Sequence, residues 1–249
     1  MADSNPFGAL KEDEDTYETF QQGEQKDATF FLVKSLVTDA KLNLPDAQAV
    51  QTEDHLSLLE CSSKYGYFVA ATAKGFCLGK TEKLRKTVYA TGKGEAALFE
   101  ELIQVEVKQG KIHHINLSAD QLELFVSVAS GTLLTYSVRD IVQQKESASP
   151  LQTYSVGCEI INLHPNPEAY PDIIAIQTKK NQCELIQNNG VIATIDDVHS
   201  ICWSRKGKQI ACGSSDGSIN TYNLEGKLVV EIKPPAAFQG DEESRRVGK

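Results

Sequence analysis

The feature that most constrains the fold of this chain is an internal repeat. Residues 114–138 align without a gap on residues 200–224, at an offset of 86 residues. The identical pairs are Ile115 with Ile201, Ser118 with Ser204, Gly131 with Gly217, Thr135 with Thr221, and Tyr136 with Tyr222. Apolar positions match as well, and in both copies they follow a strand, turn, strand, Gly-turn, strand pattern. The offset is twice about 43 residues, which is the usual length of a four-stranded propeller blade.

Two further copies complete the pattern. Residues 159–195 contain four short apolar segments between the two aligned copies. Residues 57–80 are an earlier copy, whose Ala-Lys-Gly-Phe turn matches the Ala-Ser-Gly-Thr turn at 129–132. Residues 81–97 are a polar insertion before an outer strand at 102–107, and Val138–Gln144 suggests one helical turn. The sequence therefore predicts an all-β, WD-repeat-like β-propeller with about four legible blades.

The blade prediction leads to expectations for individual glycine and tryptophan residues. A blade is apolar on both faces and must stack between neighbours. Gly75, Gly131 and Gly217 fall at the turn between the second and third strands, where we expect a positive φ. We expect Trp203 to be buried between blades, at the inner-strand position that Leu117 and Leu163 fill in other copies.

The domain boundaries follow from composition. Residues 1–26 are polar and acidic and predict a disordered tail, residues 27–235 hold the blades, and residues 236–249 predict a linker towards a missing blade. Closed propellers commonly have about six to eight blades, so we interpret the ring as incomplete. Residues 29–37 are the candidate closing strand, and the unpaired end faces predict self-association.

Charge and cysteine content exclude several functions. The chain has 34 acidic and 25 basic residues and a net charge of −9, which is the wrong sign for direct binding of nucleic acid. It lacks an apolar run long enough for membrane insertion, and its acidic start is unlike a secretory signal. Its six cysteines form no C-x-x-C pair, so we expect no zinc and no other cofactor.

Several residue groups could carry chemistry in principle. They are His113 with His114, Cys202 with Cys212, and Ser204 with His199, Asp196 and Asp197. Adjacent histidines on a strand point to opposite faces and cannot chelate one metal. In a reducing compartment we expect the two cysteines to be buried thiols, and no nucleophile elbow accompanies Ser204. We predict no enzyme activity.

Three short motifs are assigned to ordinary surface loops. Arg205, Lys206 and Lys208 form a basic turn for which contact with an acidic partner is the alternative. Pro6-Phe7-Gly8 is a single FG motif, for which a transport-receptor ligand is the alternative. Gly92-Lys93-Gly94 lacks the remainder of a phosphate loop.

Four segments resemble a known family. Residues 61–72, 112–120, 198–223 and 232–235 are similar, in the same order, to the N-terminal β-propeller of the FG nucleoporin on the cytoplasmic face of the nuclear pore. The resemblance implies a seven-bladed ring, a non-catalytic scaffold at the nuclear envelope, and docking of the DEAD-box mRNA-export helicase and of other nucleoporins. It identifies no protein-binding residue.

Two other classes of function remain open at this point. A generic WD-repeat adaptor of a ubiquitin-ligase, trafficking or autophagy complex would have the same fold, because propellers host unrelated functions. A propeller hydrolase with a central metal needs ligands at equivalent positions of several inner strands, and the inner strands offer too few.

Overall fold

The computed structural model describes residues 41–43, 56–90, 96–98, 101–168 and 170–234. The predicted tail at 1–26, the candidate closing strand at 29–37 and the predicted linker at 236–249 lie outside the described residues. No helix in the described ranges is long and apolar enough to cross a membrane.

The described strands form four antiparallel sheets of four strands, which we number as blades 1 to 4 in chain order. The first part of the chain contains β1 (Lys41–Asn43), β2 (Leu59–Ser62), β3 (Tyr67–Thr72), β4 (Gly75–Lys80), α1 (Thr81–Ala90), β5 (Ala96–Leu98) and β6 (Ile103–Glu106). Blade 1 has the order β2-β3-β4-β6, and β1 pairs with β5 in parallel outside it.

The other three blades have their strands in simple sequence order. Blade 2 consists of β7 (Ile112–Leu117), β8 (Glu123–Val128), β9 (Thr132–Ser137) and β10 (Gln152–Ser155), with α2 (Val138–Gln144) and a 3-10 turn (Lys145–Ser147) between β9 and β10. Blade 3 consists of β11 (Ile160–Pro165), β12 (Ile173–Thr178), β13 (Cys183–Gln187) and β14 (Gly190–Ile195). Blade 4 consists of β15 (Ser200–Trp203), β16 (Gln209–Gly213), β17 (Ile219–Asn223) and β18 (Leu228–Ile232).

The sheets stack face to face in chain order. The first strands of successive blades contact one another, β2 with β7, β7 with β11 and β11 with β15, so the first strand of each blade is innermost. Separate apolar clusters fill the seams between blades 1 and 2, 2 and 3, and 3 and 4. The all-β propeller prediction is confirmed, and the described sheets do not close into a ring.

The strand register confirms the repeat. Leu117 pairs with Leu124 in blade 2, and Trp203 pairs with Ile210 at the equivalent position of blade 4, 86 residues later. The expectation for Leu163 was wrong. The first hairpin of blade 3 places Pro165, opposite Ile174, at the equivalent position.

Trp203 is half-buried, so the expectation of full burial was also wrong. It packs on the cluster between blades 3 and 4, and its indole Nε1 donates to the His164 carbonyl oxygen at 2.8 Å. This hydrogen bond satisfies the one polar atom of the indole, so the ring can pack at the seam.

Two different backbone constraints explain the three turn glycines. Gly131 and Gly217 have φ of 77° and 83°, as expected. Gly75 does not have a positive φ, which corrects the prediction for that position. A Cβ at Gly75 would lie 2.1 Å from the Val105 carbonyl oxygen, so the close approach of β6 requires glycine there.

The helices pack on blade 1. Residues 138–144 form α2 as predicted, with the Ser137 hydroxyl accepting from the Asp140 amide at 3.1 Å. Val138 and Ile141 of α2 join the apolar cluster that includes Val105 of β6. The segment predicted as a polar insertion contains α1.

The two end faces of the stack differ. On the outer face of blade 1, Phe68, Ala70 and Cys77 are buried beneath Leu84 of α1 and Leu102. On the outer face of blade 4, Ile219, Val230 and Ile232 are 48%, 47% and 55% exposed. Among the described residues, one of the two expected open faces is therefore broadly apolar and exposed, and the other is covered by α1.

We expect Trp203→Phe to lower the free energy of unfolding by about 1 to 2 kcal/mol, because the His164 carbonyl would lose its donor. Urea unfolding measures this change, with Tyr170→Phe at an exposed aromatic as control. Full access of acrylamide to Trp203 in the folded parent protein would contradict the packing on which the prediction depends.

We expect the chain to self-associate through the outer face of blade 4, and Ile219→Thr to reduce that association. Leu151→Thr is the matched control, since Leu151 is 52% exposed and precedes β10 at another site. Light scattering across a concentration series measures the change. A parent protein that stays monomeric at all concentrations would refute the prediction.

Candidate functional site

The residues that suggested a hydrolase triad are separated by a strand. His199 directly precedes β15 and Ser204 directly follows it, so they lie at opposite ends of blade 4. The Ser204 hydroxyl accepts from the Gln209 amide at 3.1 Å, and Asp196 accepts from the Gln182 side chain at 2.7 Å. The structure does not bring Ser204 and His199 together.

Asp197 instead has a structural role. Its Oδ2 accepts from the Ser215 hydroxyl at 2.8 Å and from the Ser215 amide at 3.2 Å, and His199 Nε2 lies 3.3 Å from Oδ1. The hydrogen bond from the Ser215 hydroxyl holds the pKa of Asp197 below its usual range. Because Ser215 donates to the carboxylate and not to the imidazole, this group joins two loops and provides no activated nucleophile.

The adjacent histidines have separate partners. His114 is buried, and its Nδ1 lies 2.9 Å from the Ser127 hydroxyl of the neighbouring strand. His113 is half-buried and lies 3.9 Å from the carboxylate of Glu159, which also pairs with Lys179 at 2.7 Å. Among the described residues, no three His, Cys, Asp or Glu side chains converge in a metal-like cluster.

The cysteines are free thiols in different environments. Cys202 pairs with Ala211, while Cys212 pairs with Ile201, so the two side chains lie on opposite faces of blade 4. Cys202 is exposed, which corrects the expectation that both are buried. Cys212 instead contacts Cys183 across the seam between blades 3 and 4, and this contact together with burial raises the pKa of the Cys183 thiol.

The basic cluster lies on the first hairpin turn of blade 4. Arg205, Lys206 and Lys208 are all exposed. The neighbouring Gly207 has φ of 64°, and its carbonyl accepts from the Asn166 side chain of blade 3 at 2.7 Å. A Cβ at Gly207 would lie 2.0 Å from Asn166 Oδ1, so the turn is fixed against blade 3. The motifs at Pro6–Gly8 and Gly92–Gly94 lie outside the described residues.

A cleft that the sequence analysis did not identify opens between blades 2 and 3, and we call it the seam cleft. The cleft and the open solvent at its mouth together span about 390 Å³, and the apolar residues that line it are themselves buried. Blade 2 contributes Glu123, Phe125, Leu133, Thr135, Gln152 and Tyr154, and blade 3 contributes Asp172, Ile174, Ile186, Asn188 and Asn189. None of these lining side chains carries a positive charge.

Local turns position the polar groups of the seam cleft. Asn188 and Asn189 form the hairpin turn between β13 and β14, with φ of 49° and 62°, which asparagine tolerates better than most residues. Asp172 directly precedes β12 and accepts from the Gln187 side chain at 2.7 Å. Tyr154 of blade 2 donates its hydroxyl to Glu184 of blade 3 at 3.1 Å and so joins the two walls.

Glu123 is the central titratable group of the seam cleft. Its side chain is half-buried at the start of β8, and the charged groups that act on its carboxylate are the carboxylates of Asp120 and Asp172. Burial and the nearby carboxylates of Asp120 and Asp172 raise its pKa. The cleft therefore concentrates negative potential at a half-dehydrated site.

The repeat alignment does contain one signal for this site. Glu123 corresponds to Gln209 of blade 4, which is exposed. The alignment cannot show that Asp172 and the Asn188 turn of another blade lie across from Glu123. That arrangement depends on how the blades stack.

Comparisons with known proteins agree with the fold. A family model described as the NUP159/214 beta propeller matches residues 53–247. Human nuclear pore complex protein Nup214 is 27% identical over 229 residues, covering 85% of this chain and 11% of that protein. Nucleoporin NUP159 of Chaetomium thermophilum is 26% identical over 213 residues, covering 81% of this chain and 14% of that protein.

A solved structure supports the architecture. A chain in the crystal structure of a mitotic checkpoint complex has a TM-score of 0.54 and 14% identity, and the match covers 85% of this chain and 59% of that one. At this identity the likeness shows the fold alone. The stacked blades and the family match together define a nucleoporin β-propeller domain. The chain belongs to the NUP159/214 β-propeller family.

We expect Glu123→Gln to raise the melting temperature at pH 7. A raised pKa in the folded state means that folding opposes ionisation of this carboxyl, so the ionised group lowers the free energy of unfolding at neutral pH. Near pH 4, at or below the pKa of the unfolded state, the carboxyl is mostly neutral in both states and the difference should shrink.

Calorimetry at the two pH values measures this effect. Glu106→Gln in β6 is the matched control. Glu106 is exposed, and its substitution changes the net charge by the same amount. If Glu123→Gln instead lowered the melting temperature, and more at pH 7 than at pH 4, the prediction would be wrong. That result would mean that the ionised Glu123 carboxylate stabilises the folded protein.

Proposed function

We propose that this β-propeller is a non-catalytic docking platform of the nuclear pore complex, on the cytoplasmic face of the nuclear envelope, for the DEAD-box helicase of mRNA export and for other nucleoporins. The family match over residues 53–247 carries the proposal. The two relatives are named as nuclear pore proteins, and this chain spans 11% and 14% of their lengths.

The chemistry of the described residues supports a binding role. The groups that suggested catalysis have structural partners: Asp197 binds Ser215, and the Ser204 hydroxyl closes a hairpin. The net charge of −9 favours a basic protein partner, because complementary charge raises the encounter rate and sets the register of docking. The family match favours a nucleoporin over a generic WD-repeat adaptor.

We expect the purified chain to retain the mRNA-export DEAD-box helicase in a pull-down at low ionic strength. Binding should weaken from about 50 to 500 mM salt, because screening reduces the attraction between exposed charges. A DEAD-box helicase from another pathway, matched in net charge, is the control for non-specific attraction.

Two results would contradict the proposal. One is equal retention of the two helicases at every salt concentration, which would indicate charge alone. The other is no retention at the lowest salt by a chain whose cooperative thermal unfolding shows that it is folded.

A further inference from the structure

Ser149 lies in a short surface loop of blade 2 and directly precedes Pro150. We propose that Ser149 is a phosphorylation site for a proline-directed serine/threonine kinase, with a nucleoside triphosphate as the phosphoryl donor. A kinase of this class has an apolar pocket beside the acceptor hydroxyl, which receives the proline ring and needs no backbone donor from that residue. The proposal goes beyond the docking role above and does not depend on it.

The Ser-Pro dipeptide occurs once in the chain. Of the eight prolines, only Pro150 follows a serine or a threonine, and the others follow Asn, Leu, His, Tyr, Lys or another proline. A kinase that requires proline directly after the acceptor therefore has a single candidate in the whole sequence.

The structure leaves this candidate accessible. Ser149 is exposed, whereas Ser118, Ser127 and Ser218 are buried. Ser149 belongs to neither a helix nor a strand, because residues 148–151 connect the 3-10 turn of blade 2 to β10. A kinase could therefore reach the hydroxyl without opening a hydrogen-bonded ladder.

The backbone around Ser149 is extended. Ala148 has φ of −60° and ψ of 131°, close to polyproline II, and the ring of Pro150 favours the same region at Ser149. The loop is anchored on both sides. Ala148 is buried in the apolar cluster between blades 1 and 2, and the Leu151 amide donates to the Thr135 carbonyl oxygen at 2.7 Å. A segment that is already extended loses less conformational entropy when it binds in a kinase groove.

The transfer consumes only the triphosphate. Ser149 Oγ attacks the γ-phosphorus, and its proton passes to the catalytic aspartate of the kinase. The bond between the γ-phosphorus and the bridging oxygen breaks, and the nucleoside diphosphate leaves. The neutral hydroxyl is replaced by a group with a charge of about −2 at pH 7. This group would lie beside Leu151, which is 52% exposed, so a small apolar surface would become charged.

The test uses the whole folded chain, MgATP and an active mitogen-activated protein kinase as the proline-directed probe. We expect mass spectrometry of the digested product to locate the phosphoryl group on Ser149. Ser149→Thr should keep the acceptor, and Ser149→Ala should lose it. Pro150→Ala should lower kcat/KM about tenfold or more, which is the size of effect typical of an enzyme pocket left unfilled.

Matched controls separate this site from its surroundings. Ser147→Ala should be phosphorylated like the parent, because Ser147 is exposed in the same segment but is not followed by proline. A kinase that requires basic residues near the acceptor should leave Ser149 unmodified. A peptide of residues 144–155 shows that the proline-directed kinase is active, and cooperative thermal unfolding shows that each variant is folded.

Each of the following results would overturn the proposal. Phosphorylation of the peptide but not of the folded chain would mean that the loop is inaccessible. An unchanged kcat/KM for folded Pro150→Ala, or equal labelling by the kinase that requires basic residues, would mean that proline does not direct the reaction. A phosphoryl group on Ser147, or spread over many serines, would place the site elsewhere. All of these results are independent of helicase retention in the pull-down.

Discussion

A sheet that is apolar on both faces loses stability wherever water contacts either face. The arrangement of the blades follows from that constraint. In β3 the side chains of Tyr67 and Val69 pack towards blade 2, while Phe68 and Ala70 pack away from it. Each blade therefore depends on a neighbour for its stability. Stacking also explains why the innermost strands of successive blades lie side by side.

Apolar burial holds the seams together but does not by itself fix the angle between blades, and a few directional contacts do so. Cross-seam hydrogen bonds join Tyr67 to Gln121, Tyr154 to Glu184, Trp203 to His164 and Asn166 to Gly207. Between blades 1 and 2 the rings of Phe76 and Tyr136 meet edge to face, with centroids 5.1 Å apart. Burial raises the pKa of Tyr136 to about 12, because the seam disfavours the charged phenolate.

The sequence predicted features that depend on short-range periodicity. The offset of 86 residues gave the correct register for Leu117 and Trp203, and the α2 segment was identified at its observed bounds.

The sequence did not predict features that depend on contacts between distant strands. The need for Gly75 comes from the Val105 carbonyl of a strand beyond the helix insertion. The hydrogen-bond partner of the Trp203 indole is a carbonyl of blade 3. The seam cleft was missed for the same reason, because Glu123 and Asp172 meet only after two blades have stacked.

The seam cleft shows how stacking brings polar groups of different blades together. The centres of the seams are buried and apolar, whereas turns at their rims carry polar residues. Glu123 lies between these regions, since it begins a strand directly after a turn and its side chain is half-buried. An unpaired carboxylate there costs stability, since folding raises its pKa and no described residue supplies a countercharge.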